Sequence, residues 1–295
     1  MRIFVTGATS LVGRIVISEL TKQTQVQLRC FVRNKEKCTF FTDSKVEIFE
    51  GDLLDLDSVL EGMRDCDAVI HIAGIMFINN VLAAMKKNNI KKGLFVGTTG
   101  IYSRFREAAT LYKNLEAKSL EFFKSEDVSY ILLRPTMIYG GTMDHNIHKI
   151  MEYLSRHRFF PNFGSGNSLI QPIYYRDVAT AIENSFFSDN AWNKEYNISG
   201  GSVLKYKEMI EIIARNLDRK VTFIYIPVSV GVFFMSLFNF LGIKFPLKDE
   251  QIKRTDEDRA FEHKEAENDF GFSPITFEEG IRLEVEELKK GGYLK

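Results

Sequence analysis

Between an apolar run, Ile3 to Val5, and a helical pattern of Leu11, Val12, Ile15, Val16 and Leu20 lies the turn Gly7-Ala8-Thr9-Ser10-Leu11-Val12-Gly13. A buried parallel strand delivers its last residue to the start of the next helix. The free N–H groups and positive dipole end of that helix favour a pyrophosphate. Gly7 permits the sharp turn, and Gly13 lets the helix pack closely on the strand. The spacing is G-x-x-S-x-x-G, with Ser10 where a middle glycine is usual. Its hydroxyl serves a phosphate, the helix cap, or both. The chemistry on offer is dinucleotide binding, with Gly7, Thr9, Ser10, Leu11, Val12 and Gly13 as the cradle.

Three later strand ends carry further candidates. The second strand pattern runs into Arg33-Asn34-Lys35 with no acidic residue. An acid there suits the ribose 2′-hydroxyl of NAD, and an arginine suits the 2′-phosphate of NADP. Arg33 therefore points to NADP first and NAD second, although a solvated basic turn has the same composition. After the third strand, Asp52-Leu53 offers either a contact to the adenine edge or a cap for the following helix. After the fourth, the small residues of Ile72-Ala73-Gly74 let a cofactor lie against the backbone, and His71 reads as a structural strand-end histidine.

These positions need a scaffold, and the pattern supplies one. Short non-alternating apolar runs at 2–6, 26–33, 46–49, 68–72, 93–98 and 130–134 predict strands covered on both faces. Helical patterns at 11–22, 56–63, 77–90 and 108–125 fall between them. This is the rhythm of an α/β, Rossmann-type doubly wound parallel sheet. The predicted division is a dinucleotide-binding domain over 1–160 and a mixed region over 161–295. Part of that region returns to the sheet and part forms a small C-terminal substrate lobe. Later helices are predicted at 145–157, from Asp177 as N-cap, near 205–216, 259–270 and 277–290, and strands near 195–198 and 221–226, with a loop at 161–168.

The bulk composition excludes other classes. The 39 basic and 39 acidic residues cancel, which gives nucleic-acid binding no electrostatic support. Cys30, Cys38 and Cys66 are odd in number and lack metal-ligand spacing, as suits free thiols in a reducing, cytoplasmic setting. The chain opens on a strand, so no signal peptide is expected. Pro227 to Ile243 is apolar but shorter than the roughly 20 residues of a spanning helix. It reads as a buried or pocket-lining helix, and a membrane partner is not expected. His145 and His148 lack a third ligand, so no metal is expected. Phe159, Phe160, Phe233 and Phe234 are candidates for an apolar pocket.

GATSLVG, GDL, HIAG, FVGTTGIYS, LLRPTMIYG, PNFGSGN, QPIYYRDVATAI and FGFSP, in this order, resemble the extended or atypical short-chain dehydrogenase/reductase superfamily. The nearest likeness is its epimerase/dehydratase branch, which includes nucleotide-sugar epimerases, and it extends over nearly the whole chain. The resemblance implies a catalytic threonine after the fifth strand, Thr98 ahead of Thr99, and Tyr112 on the next helix, followed four residues later by a lysine. It also places Pro135 beside the nicotinamide. The lysine position holds Glu116. A lysine one turn on would favour the phenolate and hold the nicotinamide ribose, whereas a carboxylate opposes phenolate formation. Arg134 reads as a buried ion-pair residue or a cleft residue, and Arg176 as a substrate-phosphate contact or a solvated one. Two functions follow as expectations. One is an NAD(P)-dependent oxidoreductase or epimerase/dehydratase acting on a small molecule, with a nucleotide sugar as the candidate substrate and a homodimer as the candidate assembly. The other is a catalytically silent dinucleotide-binding sensor or assembly protein.

Overall fold

The computed structural model describes residues 1–142, 144, 146–232 and 249–293. The first half alternates β1 (Arg2–Thr6), α1 (Leu11–Leu20), β2 (Gln27–Val32), β3 (Val46–Glu50), α2 (Leu56–Gly62), β4 (Ala68–His71), α3 (Ile78–Lys87), β5 (Lys92–Val96), α4 (Ala109–Ser125) and β6 (Ser129–Pro135). Next come β7 (Ile138–Tyr139), α5 (Ile147–Arg156), β8 (Phe159–Phe163), β9 (Leu169–Ile170), β10 (Ile173–Tyr174), α6 (Tyr175–Phe187) and β11 (Lys194–Ile198). Then follow β12 (Leu204–Lys205), α7 (Tyr206–Asn216), β13 (Thr222–Ile226), α8 (Asp249–Lys253), α9 (Lys264–Phe270) and α10 (Phe277–Lys290).

A seven-stranded parallel sheet runs in the order β3-β2-β1-β4-β5-β6-β11. Successive residues of a strand face opposite sides, and both sides are covered here. Ile3 and Val5 point into the cluster with Val12 and Val16 of α1 and Val178 and Ile182 of α6. Phe4, between them, packs with Val59 of α2, Val81 of α3 and Leu115 of α4. The chain order reverses between β1 and β4, so the crevice at their C-terminal ends is the switch point where such sheets bind ligands.

Outside the sheet, β8 pairs in parallel with β13, and β9 pairs antiparallel with β12. β8 extends into the loop expected at 161–168: pairing with β13 outweighs the proline and asparagine in its Phe-Phe-Pro-Asn-Phe composition. Two corrections concern helix starts. α6 begins at Tyr175, so Asp177 is not its cap; its carboxylate accepts from the Ile275 N–H at 3.1 Å, and burial raises its pKa to about 6. The helix predicted from 259 begins at Lys264, because Arg259 and Phe261 give their N–H groups to Leu169 O and Gln171 Oε1 instead. Among the described residues no helix is long and apolar enough to cross a membrane.

Candidate functional site

The turn after β1 is shaped by two close approaches. Gly7 adopts φ +72, and a Cβ there would come within 2.8 Å of the Ala73 N. A Cβ on Gly13 would lie 2.2 Å from the Gly7 carbonyl oxygen. The Gly7 and Ile72-Ala73 backbones are thereby pressed together at the switch point. Ser10 caps α1, its Oγ accepting from the Gly13 N–H at 3.0 Å. The Leu11 and Val12 N–H groups have no acceptor among the described residues. They are the donors a pyrophosphate needs. Thr9 contributes its carbonyl to the Arg14 Nε, which holds the outer wall of the turn.

Across the crevice, Gly74 has φ +94 with open space where a side chain would stand. His71 and Thr6 brace this wall from behind. Thr6 Oγ1 lies 2.8 Å from His71 Nδ1, and His71 Nε2 lies 3.0 Å from the Gly74 carbonyl oxygen. Burial drives the His71 pKa down to about 4, so the ring is neutral and structural, as its strand-end position suggested. Arg33 is exposed just past β2 and makes no hydrogen bond or ion pair with a described residue. Asp52 is not a helix cap: Asp55 caps α2, while Asp52 accepts from the Leu54 N–H at 2.9 Å and stays exposed. Leu53 is half-buried, and its carbonyl accepts from Asn80 Nδ2.

The resemblance-derived residues gather at the end of β5. Thr98 Oγ1 accepts from the Gly100 N–H at 3.0 Å, and the Arg106 guanidinium lies over Gly100. From there Arg106 Nη2 donates to Tyr112 OH at 3.3 Å, with its Cζ 4.9 Å from the Tyr112 ring centroid. Thr99 donates to the carbonyl of the buried Pro135 at 3.1 Å.

Glu116 does not act on Tyr112 as an isolated negative charge. Arg134 Nε donates to both Glu116 oxygens at 3.0 and 3.1 Å, and its Nη2 donates to Oε1 at 2.7 Å. Glu195 holds the same guanidinium. Burial alone would disfavour the Arg134 cation, but the Glu116 and Glu195 carboxylates hold its pKa above the ordinary arginine value. The Glu116 carboxylate is thus paired with Arg134, while the Tyr112 hydroxyl accepts from Arg106.

A second set of cations was not found from the sequence. Arg254 and Arg259 carry buried Nε atoms with no hydrogen-bond partner. Arg254 makes a 3.6 Å contact to Glu257, which is itself engaged by Ser103 Oγ and the Arg104 N–H. Burial, then the nearby Arg106, holds the Arg254 pKa below its usual value. Arg259 is lowered likewise, by burial and then by Arg254. Three guanidinium groups thus converge beside the loop that leads to Tyr112. In sequence these arginines sit in Arg-Thr-Asp-Glu-Asp-Arg, which reads as a solvated charge run.

Other candidates fall away. Arg176 pairs with Glu287 at 2.8 Å on the surface, and Phe159 is exposed. Phe233, Phe234 and His145 lie outside the described residues, as does the apolar stretch beyond Val232. Gly13 offers a direct check of the cradle. Overpacking of this size costs about 1–3 kcal/mol. Gly13→Ala is expected to lower the urea midpoint accordingly and to remove coenzyme binding in a fluorescence titration.

Residues 7–152 match the protein-family model described as NAD(P)H-binding. An N-acetyl-α-D-glucosaminyl-diphospho-ditrans,octacis-undecaprenol 4-epimerase of Escherichia coli O157:H7 is 18% identical over 78% of this chain and 80% of its own. A mitochondrial NADH dehydrogenase [ubiquinone] 1 alpha subcomplex subunit 9 of Arabidopsis thaliana is 24% identical over 85% of this chain and 67% of its own. The structure of a Bacillus cereus UDP-glucuronic acid 4-epimerase with UDP-glucuronic acid and NAD superposes with a TM-score of 0.78 at 16% identity, covering 98% of this chain and 99% of that one. Residues 7–152 are therefore an NAD(P)H-binding domain. The whole chain shares its fold with that UDP-glucuronic acid 4-epimerase.

Proposed function

We propose that the chain binds NADP(H) ahead of NAD(H) and exchanges hydride with a carbon of a substrate that carries a diphosphate, such as a nucleotide-linked or lipid-linked sugar. The convergence of Arg254 and Arg259, two half-buried guanidinium groups whose buried Nε atoms lack a hydrogen-bond partner, beside the Arg106–Tyr112 pair carries this reading. Unpaired buried cations are costly unless a ligand anion meets them. The Leu11 and Val12 amides hold the coenzyme diphosphate, Gly74 leaves room for its ring, and Arg33 meets a 2′-phosphate. When bound, the nicotinamide supplies or accepts the hydride. Thr98 and Tyr112 hold the substrate oxygen, Arg106 fixes the Tyr112 hydroxyl, and the proton on that oxygen moves to or from the phenol or water. The buried thiols suit a cytoplasmic setting: burial raises Cys30 to about 12 and Cys66 to about 11, which leaves both unreactive.

A second reading, a silent dinucleotide-binding protein, is favoured by one observation: the lysine position is occupied by a carboxylate already committed to Arg134. Titration of the pure protein with both coenzymes, followed by turnover assays on a panel of nucleotide sugars, separates the two. NADPH is expected to bind at least tenfold more tightly than NADH, and Arg33→Ser to erase that ratio, since a charge-assisted phosphate contact contributes about 1.5–3 kcal/mol. No saturable binding of either coenzyme sinks both readings. Binding without turnover across the panel selects the silent one.

A further inference from the structure

The ribbon formed by β8 and β13 turns an apolar face to solvent. Phe159 and Ile224 are 56% and 50% exposed; Tyr225, next to Ile224 and opposite Asn162 in the register, is 55% exposed at the edge of the reverse face. In the pairing register Phe159 stands opposite Thr222, and the exposed Pro161 opposite Ile224. Side chains opposite one another in a ladder share a face, so Phe159, Pro161 and Ile224 lie together on the outside. The reverse face is the packed one, with Phe160 and Asn162 buried. A wedge of this composition on a monomer marks a surface for another phase or partner.

Its surroundings indicate which. The two strands enter side by side, the Thr222 N–H donating to the Arg158 carbonyl. Arg156 and Arg158 precede β8, and Arg219 and Lys220 precede β13; all four are exposed. The acids among them are Glu152, which makes a 3.8 Å contact to Arg156, and Asp218 in the turn. Beyond β13 the chain continues through the exposed Val230, and no charged residue occurs from Pro227 to Ile243. Exposed aromatic and aliphatic side chains beside a basic rim match the interface of an anionic bilayer, where apolar groups enter the headgroup boundary and cations meet phosphates.

We propose that the β8–β13 ribbon is a peripheral membrane-docking surface for anionic phospholipid. It stands independently of the coenzyme and substrate assignments.

Flotation of the full chain with vesicles of 7:3 phosphatidylcholine and phosphatidylglycerol, against phosphatidylcholine alone, tests it. Association with the anionic vesicles and little with the neutral ones is expected. Arg158→Gln with Lys220→Gln is expected to weaken partitioning about twentyfold, and 0.5 M salt to do the same. Phe159→Ser with Ile224→Ser should abolish it with an unchanged melting temperature, since both positions are exposed. Tyr225→Trp in a Trp192→Phe background reports contact directly, through quenching by brominated lipid. The proposal is overturned if the wild-type chain fails to float with the anionic vesicles, if Phe159→Ser with Ile224→Ser floats as well as wild type, or if that variant instead dissolves a dimer seen by sedimentation without lipid.

Discussion

Replacement of Glu116 by lysine, which would rebuild the superfamily's Tyr-x-x-x-Lys spacing, is expected to unfold or severely destabilise the protein rather than activate it. The carboxylate lies 2.7 Å from Arg134 Nη2, and the two side chains are only 8% and 9% exposed. Removing one partner of a buried pair costs about 3–5 kcal/mol. Lysine adds a second buried cation beside the first, so its ammonium must stay desolvated or lose its proton. Typical domains hold only 5–15 kcal/mol in reserve. Urea unfolding should show a midpoint collapse for Glu116→Lys, a smaller loss for Glu116→Gln, and partial recovery for Glu116→Lys with Arg134→Leu. That double variant is the proper test of whether a lysine here confers carbonyl reduction. A stable single variant that reduces carbonyls would refute the assignment of Glu116 to Arg134.

The second large effect has opposite signs in two measurements. Arg259→Gln is expected to leave the free protein as stable as wild type or more so, because it removes a half-buried guanidinium whose buried Nε has no hydrogen-bond partner. The same change should weaken binding of a nucleoside diphosphate about tenfold to a hundredfold, the worth of one charge-assisted hydrogen bond in a dry site. Arg254→Gln should behave similarly in binding but less so in stability, since it also loses the Glu257 contact. Calorimetric titration with UDP and thermal melts of the free variants give both readouts. If Arg259→Gln destabilises the free protein while UDP affinity is untouched, the cations serve the fold and the diphosphate site does not exist.

The parallel sheet, the Gly7–Gly13 turn and the small residues at 72–74 were legible in the sequence because each rests on neighbours within a few positions. A strand run, a capping Ser10 and a close-packing Gly13 interact inside one βα unit. What the tertiary fold alone decided is where the charges end. Glu116 finds Arg134 across 18 residues and Glu195 joins them from β11, a strand that enters the sheet far along the chain. Arg254 and Arg259 look like a solvated acidic-basic run until the folded chain buries their Nε atoms and brings Arg106 near them. Local hydrogen bonds and side-chain period are written in consecutive residues. The desolvation and pairing of a charge depend on groups that only the closed structure makes neighbours, and it is there that the chemistry of this cleft is set.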